Sequence, residues 1–141
     1  MTTLLEDRIA VVTGGAQGLG QALSRRLVHE GAHVLVADVN EESAKATAAE
    51  IIAGSDRKAI ALKVDVTDEA EVEGMVGRAV QEFGRLDIVV SNAGILIAEE
   101  VTEFPAEKWR AVINVNLFGY FLVAKHAAKV MKAQRSGVII Q

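Results

Sequence analysis

The chain has 141 residues, of which 50% are hydrophobic and 24% charged, and its net charge is −4. That length suits one domain with a core of two or three layers, and the balance excludes a disordered segment. No basic face points to a nucleic-acid partner, and the apolar runs are too short to span a bilayer, so neither nucleic acid nor membrane is expected.

The sequence has no cysteine, which excludes disulfides, thiolate metal sites and cysteine nucleophiles and agrees with a reducing cytoplasm. His29, His33 and His126 are scattered, without metal-ligand spacing, and read as structural; no metal site is expected. Met1 to Asp7 lacks the basic-then-apolar pattern of a secretory signal.

Short β-branched runs alternate with amphipathic segments. Residues 9–13 predict a buried strand, 14–20 a glycine-rich turn, and 19–30 a helix with Leu19, Leu23 and Leu27 on one face, closed by Gly31. A second strand is expected over 33–37, a helix rich in Ala and Glu over 41–53, and a third strand over 59–64. Asp68 can cap the next helix, whose first turn carries Glu69 and Glu71, where negative charge suits the dipole. Val72, Met75, Val76, Ala79, Val80 and Phe83 form that helix's apolar stripe, and Gly84 ends it. A fourth strand covers 87–90 and a loop covers 92–104. Pro105 then opens one long helix running to about Gln134, and 138–140 begin a fifth strand.

Strands and helices in strict alternation, with nearly continuous apolar strands, mean a parallel sheet covered on both faces. No linker, repeat or low-complexity stretch divides the chain. The expectation is one domain over 1–141, a doubly wound α/β sheet of the Rossmann type, cut short after about the fifth strand.

Gly14, Gly18 and Gly20 lie between the first strand and the first helix. In that position the backbone can approach a diphosphate, and the helix N-terminus can meet it with free N–H groups. Gln17 and Leu19 fall in the same turn. The spacing differs from the usual G-x-G-x-x-G, and a glycine-rich turn alone is weak evidence; strand, helix and downstream acid together make the case. That acid is Asp38, at the end of the second strand. Its carboxylate can accept both hydrogen bonds of an adenosine ribose diol and would repel a 2′-phosphate. Neither Gln17 nor Val39 supplies a cation to offset the repulsion, so NAD is expected over NADP. A strand-end acid that merely caps its own turn is the blander alternative.

The turn Thr13-Gly14-Gly15-Ala16-Gln17-Gly18-Leu19-Gly20 resembles the TGxxxGxG signature of short-chain dehydrogenases/reductases. Asp65-Val66-Thr67 looks like that family's third-strand acid, which contacts adenine. Asn92-Ala93-Gly94 matches its NAG motif near the cofactor ribose, although Ser91 stands where a second Asn is more usual. Asn114-Val115-Asn116-Leu117-Phe118-Gly119 resembles its NVNLxG helix motif. There the second Asn, here Asn116, bends the helix through its carbonyl and a water and feeds a proton relay. A finer likeness, to polyol-oxidising members such as sorbitol-6-phosphate dehydrogenases, runs from Gly119 to Gln141.

The resemblance implies an NAD-dependent oxidoreductase that moves a hydride between nicotinamide and a secondary alcohol or ketone, a sugar alcohol among them. It also implies dimers or tetramers formed through the helix 105–134. The family's remaining catalytic groups, a Ser after the fifth strand and a Tyr-x-x-x-Lys on the next helix, are absent from these 141 residues. The chain alone is therefore expected to be inactive, and a non-catalytic NAD- or adenosine-binding module, or an interaction protein, stands as the alternative. Tyr120 and Lys125 are no substitute, because five helical steps place them about 140° apart. Asn116 taken without the resemblance would read as an Asn bonding to backbone or buried water. Ser24, Ser43 and Ser91 lack His–Asp partners, and the acids from Glu69 to Glu82 read as a solvated helix face.

Overall fold

The computed structural model describes residues 3–141. Its strands are β1 (Ile9–Thr13), β2 (His33–Asp38), β3 (Ala59–Lys63), β4 (Ile88–Ser91) and β5 (Val138–Ile140). Helices α1 (Gly18–His29), α2 (Glu41–Ile51) and α3 (Glu69–Phe83) connect them in turn, and α4 (Ala106–Ile113) and α5 (Tyr120–Gln134) precede β5. The sheet is five-stranded, in the order β3-β2-β1-β4-β5, and its pairings are all parallel. This is the doubly wound α/β fold read from the alternation of elements.

Alternate residues of the central strands serve opposite faces. Ala10, Val12, Val34, Val36 and Val90 pack with Val28 of α1 and with Ala44, Ala48 and Ile51 of α2. Val11, Leu35, Ala37 and Val89 pack with Val72, Met75, Val76 and Ala79 of α3 and with Leu122, Val123, Ala127 and Met131 of α5. Burial on both faces explains why these strands read as continuous apolar runs.

Local signals behave as their chemistry requires. Asp68 caps α3 by accepting from the Glu71 amide at 3.0 Å, and Gly84 ends that helix in the left-handed region. Asn40 caps α2 through the Ser43 amide at 3.0 Å. His33 stacks on Phe83 and His126 is buried, bonded to Glu69 at 3.0 Å, so both sit in structural settings.

The predicted stripe on α1 needs correction. Leu23 and Leu27 pack partly buried against the core as expected, but Leu19 is 68% exposed, and the fully buried positions are Gly20, Ser24 and Val28. Small residues face inward because α1 starts almost in contact with the backbone of the preceding turn. Several boundaries also move by one or two residues: α1 ends at His29, α2 at Ile51 and β3 at Lys63, and β4 runs from Ile88 to Ser91.

The expected single helix from Pro105 to Gln134 is interrupted. Pro105 is the cap residue, and Asn114–Gly119 form a six-residue π-helical segment between α4 and α5. Such a segment holds an extra residue in the helical ladder and so shifts the faces of the helix beyond it. Beyond it Leu122 is buried, while Phe118 and Phe121 remain 42% and 56% exposed. Folded into one rod, Ala106–Gln134 is long and apolar enough by length and composition to cross a membrane, which the short apolar runs of the sequence conceal. Its α5 part packs Leu122, Val123, Ala127 and Met131 into the core with α3, whereas α4 buries no residue.

Candidate dinucleotide site

A cleft of about 580 Å³ opens at the C-terminal ends of β1, β2, β3 and β4. Ten of the residues singled out in the sequence line it: Gly14, Gln17, Gly18, Asp38, Val39, Asp65, Val66, Asn92, Ala93 and Gly94. Leu19 and Gly20 occupy the first turn of α1 and do not line the cleft. Asn116 belongs to the π segment, while its neighbours Asn114 and Val115 reach the cleft wall.

The turn between β1 and α1 is built by close approach. A Cβ on Gly20 would fall 2.0 Å from the Gly14 carbonyl oxygen, so a side chain there has no room. Gly18 differs: it has φ +54, and nothing lies within 4 Å of an added Cβ. Space beside Gly18 is open towards the cleft. The start of α1 has neither a side-chain cap nor an acid in its first turn, whereas α2 and α3 have both. Its first N–H groups and the positive end of its dipole are left to whatever occupies the cleft, the arrangement that suits a diphosphate.

Asp38 is half-buried at the rim, and its carboxylate is already engaged with its surroundings. One oxygen accepts from the Ala16 amide at 3.1 Å and the other from the Asn40 amide at 3.0 Å. Each oxygen keeps acceptor capacity for a diol hydroxyl. The turn-capping alternative is thus part of the geometry. Asp65 is fixed in a similar way, accepting from the Thr67 amide at 2.9 Å and the Thr67 hydroxyl at 2.7 Å. Val66 is buried beneath Gly119, where a Cβ would come within 2.8 Å of Val66 Cγ2.

Asn92 ties the two strand ends together. Its side-chain nitrogen donates to the Gly14 carbonyl at 3.1 Å, and its amide donates to Thr13 Oγ1 at 3.1 Å. Ala93 donates to the same hydroxyl oxygen at 3.1 Å. Asn116 holds the loop beyond: Oδ1 accepts from the Ile95 amide and Nδ2 donates to the Ile95 carbonyl, both at 2.8 Å. Ser91 is buried and its Oγ has no hydrogen-bond partner among the described residues.

Sequence reading missed the supports of the site. Thr13 holds the β4 end across 79 and 80 residues of chain. Thr47 donates to the Ala16 carbonyl at 2.8 Å from α2. Ordinary threonines in a strand and a helix gave no local signal of either role. Tyr120 and Lys125 do not converge, since Lys125 pairs with Glu69 at 2.6 Å. That ion pair and His126 hold the Glu69 carboxyl below its ordinary range. Among the described residues, no three His, Asp or Glu side chains gather as a metal site.

The model of the short chain dehydrogenase family matches residues 8–141. The chain belongs to that family. It is similar to an uncharacterized oxidoreductase of Mycobacterium bovis, 40% identical over 140 residues, covering 99% of this chain and 56% of that protein. A cis-4-hydroxycyclohexanecarboxylate dehydrogenase of Sinomonas cyclohexanicum is 42% identical over 135 residues, covering 95% of this chain and 53% of the relative. Among solved structures, a levodione reductase superimposes with a TM-score of 0.92 at 36% identity, covering 96% of this chain and 53% of that one. The chain thus spans about half the length of these relatives. Family membership fits the cleft: an uncapped helix start and open space at Gly18 suit a diphosphate, and the Asp38 acceptors suit a ribose diol.

Proposed function

We propose that this chain is the dinucleotide-binding half of an oxidoreductase that uses NAD to interconvert a secondary alcohol and a ketone. The observation that carries the reading is the joint placement of Asp38 and the uncapped start of α1 on one cleft. The N–H groups of Gly18, Leu19 and Gly20 would hold the diphosphate. Asp38 would accept from the ribose diol, with Val39 beside it, and Asp65 and Val66 would flank the adenine. Asn92, Ala93 and Gly94 would border the second ribose. When bound, the nicotinamide supplies the hydride acceptor or donor. Asn116 fixes the loop that carries Gly94 and Ile95, so its role is to position that wall and, as the family resemblance implies, to serve a proton relay.

The names of two relatives, a dehydrogenase of a hydroxycyclohexanecarboxylate and a levodione reductase, support alcohol–carbonyl exchange as the reaction class. A sugar alcohol is one substrate of that class. The titratable side chains on the cleft are Asp38 and Asp65, both engaged with backbone amides, and neither suits general acid–base work on an alcohol. The 141-residue chain by itself should therefore bind NAD and turn nothing over. Cytoplasmic placement and self-association through 105–134 belong to the same proposal.

Calorimetric titration of the purified chain with NAD and NADP tests it. NAD should bind, and more tightly than NADP, and Asp38→Ala should narrow that difference. Absence of NAD binding to the folded chain would overturn the reading.

A further inference from the structure

Resting on the dinucleotide reading, we infer that Lys63, brought beside Asp38 by the β2–β3 pairing, is a second cofactor-selecting residue that faces the 2′ position of the adenosine ribose. In the parallel ladder Asp38 stands directly opposite Lys63. Side chains alternate along each strand, so the two extend from the same face of the sheet, the face covered by α2.

Lys63 is exposed and lines a shallow recess with Val39, Asn40, Glu41 and Glu42. Val39 also lines the dinucleotide cleft, so recess and cleft meet just beyond Asp38. Lys45, Lys108 and Lys125 each hold a carboxylate at 2.6 to 2.7 Å, whereas Lys63 makes no such ion pair among the described residues. Its charge still reaches the start of α2. Lys45 is the main cause of a lowered Glu41 carboxyl, and Lys63 adds to the effect.

A cation without a carboxylate partner, next to the ribose-binding acid, has a definite consequence. Asp38, Glu41 and Glu42 together repel a 2′-phosphate, which keeps NAD the preferred ligand. Lys63 opposes that repulsion, so selectivity is narrower than the acids alone would impose. Once Asp38 is neutralised, Lys63 becomes the nearest cation for a 2′-phosphate carrying close to two negative charges. Sequence alone hides this, because only the ladder places residue 63 beside residue 38.

The test is a set of four proteins: unmodified, Lys63→Gln, Asp38→Asn and the double variant, each titrated with NAD and NADP after a circular dichroism check of the fold. Lys63→Gln alone should weaken NADP relative to NAD by roughly three- to tenfold, as expected for loss of one partly solvated charge contact to a phosphate. Asp38→Asn should gain NADP affinity relative to NAD, and the double variant should lose most of that gain. Added salt should shrink the Lys63-dependent part. Equal NADP-to-NAD affinity ratios with and without Lys63, on both backgrounds, would overturn this inference while leaving NAD binding intact. If the folded unmodified chain binds neither nucleotide, the dinucleotide reading falls and this inference falls with it.

Discussion

Asn116 and Ile95 are joined at both ends of one amide side chain: the Ile95 N–H donates to Asn116 Oδ1 and Asn116 Nδ2 donates to the Ile95 carbonyl, each at 2.8 Å. A residue inside a π-helical segment therefore takes the place of a strand partner for the loop beyond β4. An amide side chain supplies the donor and acceptor that this double bond needs, and a carboxylate supplies only acceptors.

Replacing Asn116 with Ala should loosen this loop without unfolding the sheet. A loss of about 1–2 kcal/mol is expected from two net hydrogen bonds near the surface. Hydrogen exchange should accelerate at the Ile95 amide and its neighbours. Asn116→Asp should protect the Ile95 amide yet leave its carbonyl unpartnered. Equal protection of Ile95 in all three proteins would show that the pair does not hold the loop.

Gly18 and Gly20 should differ in how much stability one added methyl group costs. Gly20→Ala drives a Cβ to within 2.0 Å of the Gly14 carbonyl oxygen, so the fold itself must give, at a cost of roughly 1–3 kcal/mol or more. Gly18→Ala meets no atom within 4 Å and carries only the strain of φ +54, about 1 kcal/mol. Thermal unfolding should therefore separate the two, while NAD titration should show weakened binding in both. A Gly18→Ala protein that unfolds as readily as Gly20→Ala would contradict the geometry.

Asp87 should give the chain an acid-sensitive joint at the far end of the sheet. Burial pushes its carboxyl up, but Arg85, the Ile9 amide and Arg8 outweigh that and leave it below the ordinary range. Because the folded-state value is depressed, the contribution is present above the unfolded value of roughly 4 and lost as pH falls through the folded one. Chemical denaturation between neutral and strongly acidic pH should show stability falling below about pH 4. Asp87→Asn should be less stable at neutral pH and should flatten that acidic slope. An unchanged slope would assign the acid sensitivity elsewhere.

Self-association should increase with concentration through the outer face of the 106–121 stretch. Trp109, Ile113, Leu117, Phe118 and Phe121 are each between 39% and 64% exposed, and Phe118 stacks on Phe121 with ring centroids 6.1 Å apart. Contiguous apolar surface of this kind favours association. Phe121→Glu should shift sedimentation towards the monomer. A 15.0 kDa monomer at every concentration would refute the expectation.

The sequence by itself determined the element order, the parallel two-faced sheet and the main line of the site. Alternating apolar runs and amphipathic helices record burial on two faces, and glycines with an acid at strand ends mark one end of the sheet. Those are local or periodic signals, and Gly14, Gly18, Asp38, Asp65 and Asn92 meet on one cleft accordingly. Tertiary structure decided what depends on atoms far apart in the chain. Leu19 faces outward because α1 rests on Gly20, pressed against the Gly14 carbonyl. The helix expected over 105–134 takes a π turn over Asn114–Gly119, with Gly119 set on Val66 and Asn116 joined to Ile95. Thr13 and Lys63 acquire their neighbours only through the strand ladder, because pairing register is a property of the assembled sheet and leaves no mark on either residue's own segment.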